Sequence, residues 1–423
     1  MTLDYVRVSA LMFLEFAIWG AWMPVLALRL LGPMKLNGRQ TGWIYATFPL
    51  ACIFSPLVSG YLADKSIDAR WLILACHAIG ALLLLIAAKQ TKFGGMFAAM
   101  LAYSVFYTAT LPLVNKVLFQ NIPQQATWVF FWAPVAWAIA GYSLTGWRQL
   151  RRAGGDGPDS LYFAAALSVL MALVCLVQPE TKPQLAAATA GAANANPMAE
   201  ALAMLGNTNY SIFLLIQLVV CGMQQFYFLG TGRFLQDRGA SGKNVSAIMA
   251  LAQAVQAAAT ILLLDRLLRY PGLHGYGELT GYQWAFIVGS ASWAVLFAVY
   301  ILTKQTAVLA LFQAFHGLAY VFFVIAGQMF VGVVAPKEIG ASAQSLLFIA
   351  TSGIGLFLGT QMAGMVMQKN TVEGKFQWSK IWAVPLVITL VGAIVFAVAF
   401  KVPGPKDFIK KVESKPVAAA LER

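Results

Sequence analysis

Apolar residues run along this chain in blocks of about 20, the length an α-helix needs to cross roughly 30 Å of hydrocarbon, and short polar turns separate the blocks. The pattern predicts helices over approximately 8–31, 41–63, 70–89, 95–119, 128–147 and 159–177, then over 209–234, 244–264, 283–303, 307–334, 340–368 and 380–400. Between the two sets lies "PETKPQLAAATAGAANANPMAEALAML", the longest stretch too polar or too weakly apolar to span, read as a linker ending in a short interfacial helix. The organisation is six plus six: one half over 1–178, a central cytoplasmic linker over 179–208, a second half over 209–402, and a basic cytoplasmic tail over 403–423. The last residues of that tail, "VAAALER", look like a cloning linker. The expected fold class is all-α and integral to the membrane, with twelve transmembrane helices in two six-helix halves.

Composition fits no aqueous solvent. Apolar residues make up 60% of the 423 and charged residues 11%, with a mean hydropathy of +0.72, against roughly 25% charged in a soluble domain. The first apolar run is long enough to span and lacks a small-residue cleavage site, so no signal peptide is expected. Cys52, Cys76, Cys175 and Cys221 sit inside apolar runs without CxxC spacing and read as small hydrophobes. The net charge of +13 is spread over short loops and the tail, without a basic stripe interleaved with aromatics, which argues for lipid head groups and against nucleic acid. Lysine and arginine are about as numerous in the outer loops as in the inner ones, so they do not set the orientation. The even number of spans and the basic tail place both termini in the cytoplasm of a multi-pass membrane protein, which is expected to be a monomer. No Ser-His-acid set, metal cluster or P-loop is present, so neither an enzyme, a metal site nor a cofactor is expected.

Polar side chains inside the spans mark where a ligand could sit. An ionisable group at mid-span costs at least about 2.5–3.5 kcal/mol unless it is paired or faces water. Glu15 is the one acid placed well inside a span, on one face of its helix with Trp19 and Trp22. The fourth helix carries Tyr103, Tyr107 and Thr110 at the same spacing, the seventh Gln217, Gln224, Gln225 and Phe228, the eighth Gln253, Gln256 and Thr260, and the tenth Gln313, His316 and Tyr320. Amides, hydroxyls and aromatic faces with almost no fixed charge suit a flat, uncharged, hydroxylated ligand. A single glutamine in a membrane helix is more often interhelical glue, and His77 or His316 could each be a satisfied core imidazole. Lys116 is expected to snorkel to the cytoplasmic face; a pairing with Glu15 would compensate both charges.

The motif "GYLADK", with Gly60, Leu62, Asp64, Lys65 and then Arg70, together with the span count resembles the major facilitator superfamily. A small echo, Asp265, Arg266 and Arg269 after the eighth helix, is what parallel repeats leave behind. Within that superfamily the chain resembles the nucleoside:H+ symporter family of bacterial nucleoside permeases, through "FLEFAIWGAW", "ACHAIGALLLLIAAKQT", "FHGLAYVFFVIAGQMFV" and "APKEIGASAQSLL". The resemblance implies import of nucleosides by alternating access, with proton coupling open and Gln225 at a family contact position. Three ionisable family positions are uncharged here: Phe130 stands for an arginine, Gln256 for a glutamate, and Val321 for an aspartate, while Pro134 replaces a threonine. The candidate substrate residues are Gln225, Gln253, Gln256, Phe228, His316, Tyr320, Trp19, Trp137 and Tyr107. Glu15 is the candidate proton carrier, with His316 in reserve, and Gly60, Asp64, Lys65 and Arg70 form the conformational motif. A facilitator, a carrier of another neutral hydroxylated or base-containing solute, and a non-transporting receptor on the same fold are the competing readings.

Overall fold

The computed structural model describes residues 2–152, 154–183, 197–269, 279–336 and 339–408. Residues 184–196 of the expected linker and 409–423 of the basic tail lie outside the described residues, as do the side chains of Asp64 and Lys65. Among the described residues, eleven helices are long and apolar enough to cross a membrane: α1 (Leu3–Leu31), α2 (Gly38–Ala63), α3 (Ala69–Ala88), α4 (Phe93–Asn121), α5 (Trp128–Leu150), α7 (Thr208–Asp237), α8 (Gly242–Leu268), α9 (Thr280–Leu302), α10 (Thr306–Val334), α11 (Ser342–Lys369) and α12 (Trp378–Val398). The remaining apolar helix, α6 (Asp159–Cys175), has 17 residues and packs against α1 and α3 like a full member of the bundle. The set is consistent with twelve spans and matches the sequence pattern to within a few residues at each end.

Packing repeats with a period of six helices. In the first half α2 packs on α4, α3 on α4 and α6, and α1 on α5 and α6; in the second, α8 packs on α10, α9 on α10 and α12, and α7 on α11 and α12. This is the pattern of parallel repeats that the sequence echo hinted at. At the echo itself, Arg269 pairs with Asp265 at 2.7 Å, whereas Arg70 pairs with Asp68 at 3.4 Å and Glu180 at 3.3 Å. The Glu180 carboxyl is held below its usual range by Lys182 first and by Arg70 as well.

The halves bend by different means. In the first, prolines interrupt the ladder: α1 breaks after Trp22, where Pro24 removes a donor, and the chain turns through Met23–Val25 before resuming at Leu26. Buried Tyr45 repairs the break by donating its hydroxyl to the Met23 carbonyl at 2.9 Å and accepting from the Ala27 amide at 3.0 Å. In the second half, wider π-helical turns appear at Thr260–Leu264, Tyr320–Ile325 and Ile349–Gly355, in α8, α10 and α11. At the end of α1, buried Arg29 donates to the Ala88 and Gln90 carbonyls at 2.8 and 2.9 Å, satisfying the end of α3.

The two halves meet tightly at the end of the bundle away from the termini. There α2 and α11 touch backbone to backbone: a Cβ on Gly364 would lie 2.6 Å from the Gly38 carbonyl and 3.2 Å from the Gly42 Cα. Leu28 packs against Gly232, Gln149 donates to Asn244 at 3.1 Å, and the backbone of Gly155 lies against that of Gly242. A side chain at Gly364 cannot fit unless the halves separate. We predict that Gly364→Leu opens this end, read as a longer distance between spin labels at Leu150 and Leu302 on a chain lacking its four native cysteines; an unchanged distance would show that the seam does not set the closed state.

Candidate functional site

Where α5 of one half meets α7 and α8 of the other, a small cavity is walled by Gly20, Pro24, Val25, Trp137, Gly141, Tyr227, Phe228, Ser246, Met249, Ala250 and Gln253. It opens because small residues lie opposite large ones. Gly141 faces the Ser246 carbonyl and Ala250, where an added Cβ would come within 2.9 and 2.7 Å. Gly20 lies against Trp137, 3.0 Å from where its Cβ would be. Trp137 reaches across to Phe228 with ring centroids 6.0 Å apart, and on its other side meets the edge of Trp19 at 5.4 Å. The space left among these side chains is about 10 Å³, room for a single water and far below the roughly 300 Å³ of a ligand pocket. In this conformation the halves are closed down on the site.

The outer wall is a polar lock. Arg148 is fully buried, ion-paired with Asp159 through two hydrogen bonds, and donates across the seam to the Ser246 hydroxyl at 2.9 Å. The Thr145 hydroxyl accepts from the Ala247 amide at 2.9 Å, satisfying one of the first donors of α8.

Of the sequence candidates, Trp137, Phe228 and Gln253 line the cavity. Trp19 stands one layer out, stacked on Phe48 at 4.5 Å. Gln225 lies one helical turn before Phe228 on α7; it is fully buried, and neither its amide nitrogen nor its carbonyl oxygen has a hydrogen-bond partner. Gln256 is buried on α8, while Tyr320 is half-buried on α10. His316 sits behind Tyr227 rather than on the wall: the rings stack 3.8 Å apart at 9°, and the imidazole Nδ1 accepts from Trp293 Nε1 at 3.1 Å. Its Nε2 is buried without a partner, as is the Tyr227 hydroxyl.

The polar face of α4 points into its own half. Tyr107 donates to the Glu15 carbonyl at 2.7 Å, and the Thr110 hydroxyl lies 2.7 Å from Glu15 Oε1. Glu15 pairs with His77, whose Nε2 is 3.0 Å from Oε2. The pairing of Glu15 with Lys116 weighed from the sequence is corrected by this arrangement: Lys116 lies at another depth, donating to the Ala63 carbonyl near the end of α2 at 2.7 Å. Of the conformational motif, Gly60 has open space around its Cα and Arg70 ties its loop to the Gln178 carbonyl at 3.2 Å.

Sequence reasoning missed Tyr227, Ser246 and the small residues of the wall. Ser246, Met249, Ala250 and Gln253 recur at helical spacing and could have been found as one stripe. Gly20 and Gly141 carry no chemical signal, since only the partner across the seam gives a missing side chain its meaning. Each unpaired buried group of Gln225 costs about 1–3 kcal/mol. We therefore predict that Gln225→Leu raises the unfolding temperature of the ligand-free protein; a lowered one would mean that the amide is satisfied internally.

A family model described as "Nucleoside H+ symporter" matches residues 1–404. The nucleoside permease NupG of Escherichia coli is 26% identical over 409 residues, covering 93% of this chain and 95% of that protein. The xanthosine permease of the same organism is 24% identical over 418 residues, covering 96% and 97%. A crystal structure of a point mutant of the nucleoside transporter NupG superposes with a TM-score of 0.81 at 26% identity, covering 94% of this chain and all of that one, and the unmutated protein superposes with 0.78 at 25%. A bacterial homologue of the lysosomal transporter Spinster, at 15% identity and a TM-score of 0.70, shares the fold. With the fold, the closed cavity between its halves and a match along nearly the whole chain, this multi-pass membrane protein belongs to the nucleoside H+ symporter family.

Proposed function

We propose that the protein imports nucleosides across the inner membrane by alternating access of its two six-helix halves, driven by protons, with both termini in the cytoplasm. The observation that carries the reading is the uncharged wall at the seam. Trp137, Tyr227 and Phe228 supply ring faces, Ser246 and Gln253 supply hydroxyl and amide, and the unpartnered amide of Gln225 lies one turn from Phe228. Rings stack on a base whatever its identity. Amides both donate and accept, which suits the edge of a base and the hydroxyls of a ribose. Among the described residues no cation or carboxylate lines the cavity, so an anionic nucleotide would find no countercharge on its wall.

The closed geometry supports the mechanism. A cavity of about 10 Å³ cannot hold a nucleoside, so binding requires the halves to move apart. The named contacts between them lie at the end away from the termini, which makes this the state closed on that side. Ligand then enters or leaves toward the termini, and the Arg148–Ser246 bond and the Gly38–Gly364 contact break when the molecule turns over.

His316 supports the wall from behind, its imidazole stacked on Tyr227 and holding the plane of that ring. Gln256, one turn along α8 from Gln253, extends the amide stripe toward the termini.

The test is uptake of radiolabelled uridine and adenosine into proteoliposomes, with counterflow against unlabelled nucleoside and competition by free sugars. Nucleosides should exchange and sugars should not compete. Trp137→Ala and Phe228→Ala should each weaken apparent affinity by about 1–3 kcal/mol, roughly 5- to 150-fold. Competition by sugars equal to that by nucleosides would change the cargo. Absence of counterflow in the wild type would remove the transport reading.

A further inference from the structure

We infer that the Glu15–His77 pair, buried in the first half and away from the ligand cavity, is the site that takes up and releases the coupled proton. The inference rests on the proton-driven reading above.

Glu15 is 0% exposed and His77 2%, in α1 and α3, and among the described residues Glu15 is the only carboxylate so buried. No lysine or arginine of the described residues lies within ion-pair distance of it. The other titratable groups near the carboxylate are the thiols of Cys76 on α3 and Cys175 on α6, and the phenols of Tyr103 and Tyr107 on α4. Cys52 on α2 stands beyond Tyr107. A structural acid in such a place would be expected to hold one protonation state. The shell around Glu15 instead accommodates two.

The device is the single hydrogen of Thr110. Its Oγ1 lies 2.7 Å from Glu15 Oε1 and 2.6 Å from the Tyr107 carbonyl, and a hydroxyl can donate to only one of them at a time. When Glu15 is ionised, Thr110 donates to Oε1 while His77 Nε2–H donates to Oε2 at 3.0 Å. When a proton binds Oε1, the new O–H donates to Thr110 Oγ1, and the Thr110 hydrogen turns to the Tyr107 carbonyl. One proton enters, one hydroxyl rotates, and both states remain fully hydrogen-bonded. With a neutral His77 imidazole, the loaded pair is neutral and the empty pair carries a net negative charge inside hydrocarbon, so the two states differ in how readily the half that holds them can move.

The pair is in packing contact with the ligand wall. Tyr107, which donates to the Glu15 carbonyl at 2.7 Å, has its ring 6.4 Å from that of Trp19. Trp19 lies one helical turn after Glu15, and its edge meets Trp137 on the cavity wall at 5.4 Å. Glu15 and Trp19 share α1, so any displacement of this helix moves the carboxylate together with the aromatic face that a ligand would touch.

The experiment joins pH-difference infrared spectra of the protein in lipid vesicles with uridine transport in proteoliposomes. The wild type should show a carboxylic-acid band that titrates with pH, and Glu15→Gln should lack it. Under an inward proton gradient the wild type should concentrate uridine, whereas Glu15→Gln should lose gradient-driven accumulation and keep uridine counterflow. Thr110→Val should displace the band and its titration midpoint, and Thr110→Ser should restore the wild-type values. A wild type whose spectra show no titrating band missing from Glu15→Gln, or a Glu15→Gln protein that still concentrates uridine to the wild-type level, would overturn the assignment. Failure of the nucleoside reading appears separately, as absence of wild-type counterflow, because the infrared titration needs no substrate.

Discussion

Inside hydrocarbon a polar group has no water to turn to, and this constraint organises the molecule. Where Pro24 breaks α1, the Tyr45 hydroxyl takes over both freed backbone groups. Arg29 is buried because the last carbonyls of α3 need donors, and Arg148 because Asp159 and Ser246 surround its guanidinium. Glu15 is tolerated because His77 and Thr110 complete its carboxylate. Each of these solutions joins one helix to another, so meeting the constraint also fixes the tertiary packing.

Against that background the unsatisfied groups stand out. Of the buried polar atoms without a partner among the described residues, those of Gln225, His316 Nε2 and the Tyr227 hydroxyl are grouped on α7 and α10 beside the seam between the halves. A bundle that repairs a broken helix with one tyrosine has left these three open next to a wall of rings. Such local departures from polar satisfaction are where function is expected.

The seam gives the molecule its two-state character. Glycines let α2 and α11 meet through their backbones, and the Arg148–Asp159 pair sends one hydrogen bond across to α8. Contacts of this kind are short-ranged and break together when two rigid bodies rotate. In the first half α1 breaks at Pro24, and in the second π-helical turns recur in α8, α10 and α11, so the repeats share a packing plan while differing in local helix geometry. A ligand between them thus meets two different surfaces: small residues and tryptophans from one half, and amides and rings from the other.

Much of the fold was legible in the sequence, because solvent acts on each helix separately: a block of about 20 apolar residues must span wherever its neighbours lie. The positions of the spans, the six-plus-six division and the scarcity of charge at the candidate site follow from that rule. The presence of a buried acid in α1 was equally plain. Its partner was not, because Glu15 and His77 are 62 positions apart and only the packing of α1 against α3 and α4 brings them to 3.0 Å. Tyr107 and Thr110 share a helical face whose spacing is visible in the chain, yet spacing cannot say whether a face looks into its own half or into the cavity between halves. The tertiary structure turned that face inward, placed His316 behind Tyr227 and gave Gly20, Gly141 and Gly364 their role. Periodicity and burial are local properties that the sequence determines by itself; which polar group meets which is decided only when the helices pack, since a hydrogen bond depends on two positions at once.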